Sequence, residues 1–179
     1  IFLPLTVGGG IRTEEDAAAV INAGADKVSL NTAALQNPVL ISNLAQRYGS
    51  QAIIVAIDAK RQNDHFAVYV RSGQTDAERD AVDWASEAER CGAGEILLTS
   101  MDRDGTRAGF DCELTAAVSS AVNIPVIASG GAGGFSDFAE VFTSGYADAA
   151  LAASIFHYAE SSVEELKQYL HKQQIPVRL

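Results

Sequence analysis

A parallel α/β architecture is what this sequence predicts, and three observations predict it. Short runs rich in β-branched residues alternate with stretches of amphipathic sequence long enough to form helices. The runs recur at roughly 23 to 30 residues, the length of one βα unit, with one longer interval of about 43. Two of them, Ala52-Ile53-Ile54-Val55-Ala56-Ile57 and Pro125-Val126-Ile127-Ala128, are apolar at nearly every position, the pattern of strands covered on both faces.

Taken in order, the strands centre near Leu5, Val28, Ile54, Leu97, Ile127 and Ala150. Each is followed by a loop containing Gly or Asn and then by a helical pattern, as at Glu14 to Asn22, Pro38 to Tyr48, Asp80 to Arg90 and Ser136 to Thr143. The longer interval holds His65-Phe66-Ala67-Val68-Tyr69-Val70-Arg71 and a Ser72-Gly73 break. Alternation of Phe66, Val68 and Val70 predicts a small hairpin inserted in the loop after the third strand.

With 179 residues, 47% of them hydrophobic, the chain suffices for one globular domain spanning residues 1–179. Thirteen Lys and Arg against twenty-three Asp and Glu give a formal net charge of −10, and no basic cluster stands out, which argues against a nucleic-acid partner. The apolar runs are strand-sized, so no membrane partner is expected, and nothing reads as a secretory leader. Cys91 and Cys112 are too few for a disulfide framework, and His65, His157 and His171 are scattered. The expectation is a reduced cytoplasmic protein with no metal site and no cofactor.

An internal repeat sharpens the architecture. Leu3-Pro4-Leu5-Thr6-Val7-Gly8-Gly9-Gly10 aligns with Ile124-Pro125-Val126-Ile127-Ala128-Ser129-Gly130-Gly131, and Ala25 to Thr32 aligns with Ala147 to Ser154. The common offset, about 121 residues, equals four βα units, and two such sets make an eight-stranded TIM barrel. This chain supplies about six parallel units and opens on Ile1-Phe2, directly into a strand. An incomplete (βα)₈ barrel lacking its first two units is therefore expected.

In such arrays ligands bind at the carboxyl ends of the strands. Those ends are Gly8-Gly9-Gly10, Asn31-Thr32, Asp58, Thr99 through Asp104-Gly105-Thr106, Ser129-Gly130-Gly131 and Ala153-Ser154. Glycine loops leading into helices offer unhindered backbone N–H groups to a phosphate, or they simply allow tight turns. Their pairing, one set per repeat, points to a substrate phosphorylated at both ends. Asp58 ends an apolar strand, which suits general acid–base work; a loop-capping carboxylate is the alternative. Around Arg103, Asp102 and Asp104 suggest either a site carboxylate at Asp104 or an ion network bracing the loop.

Together these segments resemble the cyclase subunits of imidazole glycerol phosphate synthase, (βα)₈ barrels of histidine biosynthesis. The resemblance covers nearly the whole chain. It is carried by Leu5 to Arg12, Ala25 to Ala34, Val55-Ala56-Ile57-Asp58-Ala59-Lys60-Arg61, Gly94 to Thr106, Ile127 to Gly133 and Ala149 to His157. The sister isomerase of the pathway shares the glycine loops, but Asp58 to Arg61 and Glu95 to Thr106 fit the cyclase better. The resemblance implies a lyase that combines ammonia with a bisphosphorylated ribulosyl-formimino aminoimidazole carboxamide ribonucleotide to form imidazole glycerol phosphate. It makes Asp58 the second of two catalytic aspartates. It assigns Gly10, Asn31 and Thr32 to one phosphate site and Asp104, Gly105, Gly131, Ala153 and Ser154 to the other, with Thr99 and Ser129 between them. It further implies a glutaminase subunit docked on the N-terminal barrel face, with Lys27 and Glu95 in a charged ammonia gate there. The first catalytic aspartate belongs to the absent units, so the chain alone is expected to be inactive and to associate with itself through open sheet edges. A non-catalytic phosphate-binding or assembly module on the same scaffold is the competing expectation.

Overall fold

A computed structural model describes residues 3–157 and 162–178. The strand start expected at Ile1-Phe2 lies outside the described residues, as does the side chain of His157.

Six parallel strands form the frame: β1 (Thr6–Gly8), β2 (Lys27–Leu30), β3 (Ile53–Gln62), β6 (Glu95–Ser100), β7 (Val126–Ser129) and β8 (Ala149–Leu151), hydrogen-bonded in that order. They curl into an incomplete barrel. Helices α1 (Glu14–Asn22), α2 (Thr32–Gln36), α3 (Val39–Tyr48), α4 (Ala81–Arg90), α5 (Cys112–Ser119), α6 (Phe135–Thr143), α7 (Ser154–His157) and α8 (Val163–Lys172) connect and follow them. The predicted strand centres fall within or beside the observed strands, and four predicted helices match α1, α3, α4 and α6 to within a residue at each end.

Alternation along each strand separates two environments. Val28, Leu30, Ile53, Val55, Ile57, Ile96, Leu98 and Val126 are buried in one cluster with the helices, among them Leu40, Ile41 and Leu44 of α3 and Trp84 of α4. Each such aliphatic side chain contributes roughly 1.5–3 kcal/mol by leaving water. A second cluster joins Ala128 to Phe110, Phe138, Val141, Ile155, Leu166 and Leu170. Ser29, Ala56, Asp58, Leu97, Thr99, Ile127 and Ser129 alternate with the outer set and are only half-buried. They form the inner face.

The helices start where local chemistry satisfies their free N–H groups. Thr13 and Asp16 form a reciprocal capping box on α1, whose first turn carries Glu14, Glu15 and Asp16 where the helix dipole favours negative charge. Asp80 caps α4 through Val82 N and Asp83 N, and Asp111 caps α5 through Leu114 N.

The region after Asp58 requires a correction. β3 does not end there but continues as one strand to Gln62. Its outer half pairs antiparallel with β4 (His65–Val70), which in turn pairs with β5 (Thr75–Asp80). The insertion is thus a three-stranded meander grown from the barrel strand itself. Asp58 lies at the junction, paired with Thr99 of β6 on one side and with Tyr69 of β4 on the other. The Ser72-Gly73 break falls in the β4–β5 turn as expected.

Candidate active site

At the carboxyl end of the sheet, register aligns Asp58, Thr99 and Ser129 on three adjacent strands, so their side chains share the inner face. Asp58 is half-buried, and Asn31 donates from Nδ2 to its Oδ2 at 2.9 Å. Burial pushes the Asp58 carboxyl above its ordinary value; the Asn31 hydrogen bond opposes that rise, and the negative charge of Asp104 adds to it. An elevated carboxyl in a cleft, fixed by a neutral amide, is suited to giving and taking protons.

Two glycine loops flank this group, and although they align in sequence they differ in cover. Gly9 and Gly10 are exposed, with φ of +90° and +76° and open space where a Cβ would stand. Asn31 and Thr32 follow the neighbouring strand, but the Asn31 amide is committed to Asp58 rather than to the glycine loop. Gly130 and Gly131 are buried beneath the segment that follows β6. A Cβ on Gly131 would stand 2.2 Å from the Gly109 carbonyl oxygen, and the Gly109 N–H donates to Gly131 O at 2.9 Å. A Cβ on Gly130 would meet Ser100 O and the Asp104 backbone. Asp104 is held here by its own N–H to Ser100 O at 2.9 Å, while Gly105 turns openly beside it. Ala153 and Ser154 follow β8, the strand next to β7, and so share this side of the mouth.

The ion network expected around Arg103 takes another form. Arg103 Nη1 donates to Ala108 O at 3.2 Å, and Asp102 accepts from the Arg61 N–H at 2.8 Å. Arg61 itself reaches the outer layer, pairs with Glu113 at 2.5 Å and lies over the Phe66 ring. The loop is therefore braced to β3 through Asp102. Asp104 is left to face Asp58.

At the opposite end Lys27 and Glu95 form an ion pair, each about one-quarter to one-fifth exposed (24% and 20%). Their strands are separated by β3, so the pair crosses that strand on the inner face. Two residues of the meander carried no functional expectation in the sequence. Tyr69 is half-buried opposite Asp58, and its hydroxyl accepts from Gln62 Nε2 at 2.8 Å. Arg71 sits in the β4–β5 turn, where its N–H meets Thr32 Oγ1 at 3.3 Å. The alternating pattern located the strand; only the pairing register reveals which residues stand beside Asp58.

Residues 1–162 match the protein family described as "Histidine biosynthesis protein". Relatives described as imidazole glycerol phosphate synthase subunit HisF align over the chain. That of Acidobacterium capsulatum is 62% identical over 179 residues, covering 100% of this chain and 71% of the relative. Those of Alkaliphilus metalliredigens and Chlorobium phaeovibrioides are 58% and 56% identical, covering 99% and 100% of this chain and 71% of each relative. The chain belongs to the HisF family. Its family role is that of a cyclase subunit of histidine biosynthesis. Among the described residues no helix is long and apolar enough to cross a membrane.

Proposed function

We propose that this HisF-family chain carries the acid–base half of a cyclase site, with Asp58 as the proton-transferring group. The observation that supports it best is the half-buried Asp58 carboxyl, held by Asn31 and aligned with Thr99 at the mouth. The reaction joins ammonia to a bisphosphorylated ribulosyl-formimino ribonucleotide, closes an imidazole ring and breaks a carbon–nitrogen bond. Each stage adds or removes a proton at nitrogen or oxygen, which is work for paired carboxylic groups.

In this reading Gly10, Asn31 and Thr32 hold one phosphate of the substrate. Asp104, Gly105, Gly131, Ala153 and Ser154 surround the other, while Thr99 and Ser129 line the span between. A glutaminase subunit on the floor side delivers ammonia past Lys27 and Glu95, in the cytoplasm, and residues 1–179 act as one domain. They contain one of the two catalytic aspartates the family resemblance calls for. We therefore propose that these residues by themselves turn over little substrate and associate through the β1 and β8 edges.

The test is turnover of the ribulosyl-formimino substrate with ammonium, using a barrel completed by the remaining βα units. Asp58→Asn keeps the shape and removes the proton transfer, so a loss on the order of 10²-fold is expected. Near-normal turnover by that variant would overturn the assignment. Light scattering on the 179-residue chain tests the second part, and a monomer at all concentrations would refute it.

A further inference from the structure

We infer that Arg71 is a phosphate-contacting residue that completes the Gly10–Thr32 anion site from the β4–β5 turn of the meander. The inference rests on the proposed reading of that site and extends it to a residue which neither the glycine motif nor the repeat marks.

The site as it stands is made of neutral donors. Gly10 offers open backbone, Thr32 a hydroxyl, and Asn31 has turned its amide to Asp58. Asp58, tied to the site through Asn31, repels a phosphate when ionised, and the glycine loop itself brings one cation, Arg12, two residues past Gly10. A dianion facing an ionised carboxylate is held better by a cation on the Thr32 side as well, and arginine matches phosphate geometry with two parallel N–H bonds.

Arg71 is placed for this task by three observations. Its backbone N–H bonds Thr32 Oγ1 at 3.3 Å, so the base of its side chain is anchored at the site. That bond occupies a lone pair of the Thr32 hydroxyl, which leaves its O–H free to donate to a ligand. The other face of the turn is fixed too: Gly73, with φ of +77°, packs so closely on Met101 that a Cβ would lie 2.7 Å from Met101 Cε. The turn therefore bridges the segments that follow β2 and β6, beside Asp58 on β3. Finally, the Arg71 guanidinium is uncommitted among the described residues and exposed. Arg61 and Arg79 are ion-paired, whereas Arg90 and Arg103 donate to carbonyls.

Nitrogen-15 NMR of the 179-residue chain, titrated with inorganic phosphate at constant ionic strength, tests this directly. Saturable shifts of the Gly10 and Thr32 amides are expected in the wild type. Arg71→Gln should weaken them roughly tenfold, the weight of one charge-assisted contact at a part-exposed site, while Arg71→Lys keeps part of the affinity. Shifts at Gly131 and Ser154 in the same titration should stay at wild-type affinity, and the spectrum itself reports that the variant is folded. Wild-type affinity at Gly10 and Thr32 in Arg71→Gln would overturn the role of Arg71 and leave the anion site standing. A loss confined to Arg12→Gln, which removes the cation two residues past Gly10, would likewise overturn the role of Arg71. Absence of any wild-type shift at Gly10 and Thr32 would remove the anion site, and the inference with it.

Discussion

A carboxyl group whose burial favours its neutral form makes the fold depend on pH in a direction opposite to that of a salt-bridged aspartate. Asp58 is such a group: burial raises it, and Asn31 recovers part of the cost by donating to the ionised form. The folded state therefore binds the Asp58 proton at a pH where the unfolded chain has released it. Its contribution to stability falls as pH rises through the ordinary carboxylate range toward the raised folded value. Asp58→Asn is expected to melt at a higher temperature than the wild type near neutral pH. The difference should shrink below about pH 3.5, where both forms are neutral. Thermal melts at the two pH values check it. Asn31→Ala should move the Asp58 titration further upward, read by carbon-13 NMR of the carboxyl; an unmoved midpoint would show that the amide does not hold the charge.

Between elements, the two glycine loops provide the sharper contrast. Gly10 and Gly131 both have left-handed φ, +76° and +100°, so an added Cβ strains either. Only Gly131 also lies against a neighbouring backbone carbonyl. Gly131→Ala must displace the segment around Gly109 and should cost well over the ~1 kcal/mol that incompatible backbone alone incurs, whereas Gly10→Ala should stay near that figure. Chemical denaturation of the two variants compares them. This difference could not be read from the sequence, where the loops align. Strand and helix spacing was legible because buried strands and amphipathic helices leave local patterns. Three other features left none. Ala59-Lys60-Arg61-Gln62 is too polar to read as a continuation of β3, since its support comes from antiparallel β4. Thr32–Gln36 is five residues long, too short for a helical period to show. The Asn31 bond to Asp58 joins residues 27 apart and depends on the packing of two strands.

Over the whole molecule, the inner face is graded from end to end. Lys27 and Glu95 form a charged floor, Ala56, Leu97 and Ile127 an apolar waist, and Asp58, Thr99 and Ser129 a polar mouth. The stability of the frame lies mainly outside this face, between the strands and the helices. Ile57→Ala, at a position with no exposure, is expected to cost about 2–5 kcal/mol, measured by urea unfolding. Substitution at half-buried Ala56, beside it on the inner face, should perturb the frame far less. β3 joins the two parts of this design. It runs ten residues from Ile53 to Gln62 with neither glycine nor proline to absorb a bend. One end is clamped in the parallel sheet and the other carries the meander, with Asp58 at the fulcrum. Because Tyr69 pairs with Asp58, the β4–β5 turn that rests on Thr32 and Met101 comes back beside this fulcrum, so a shift of the turn reaches the carboxyl across a single strand pairing.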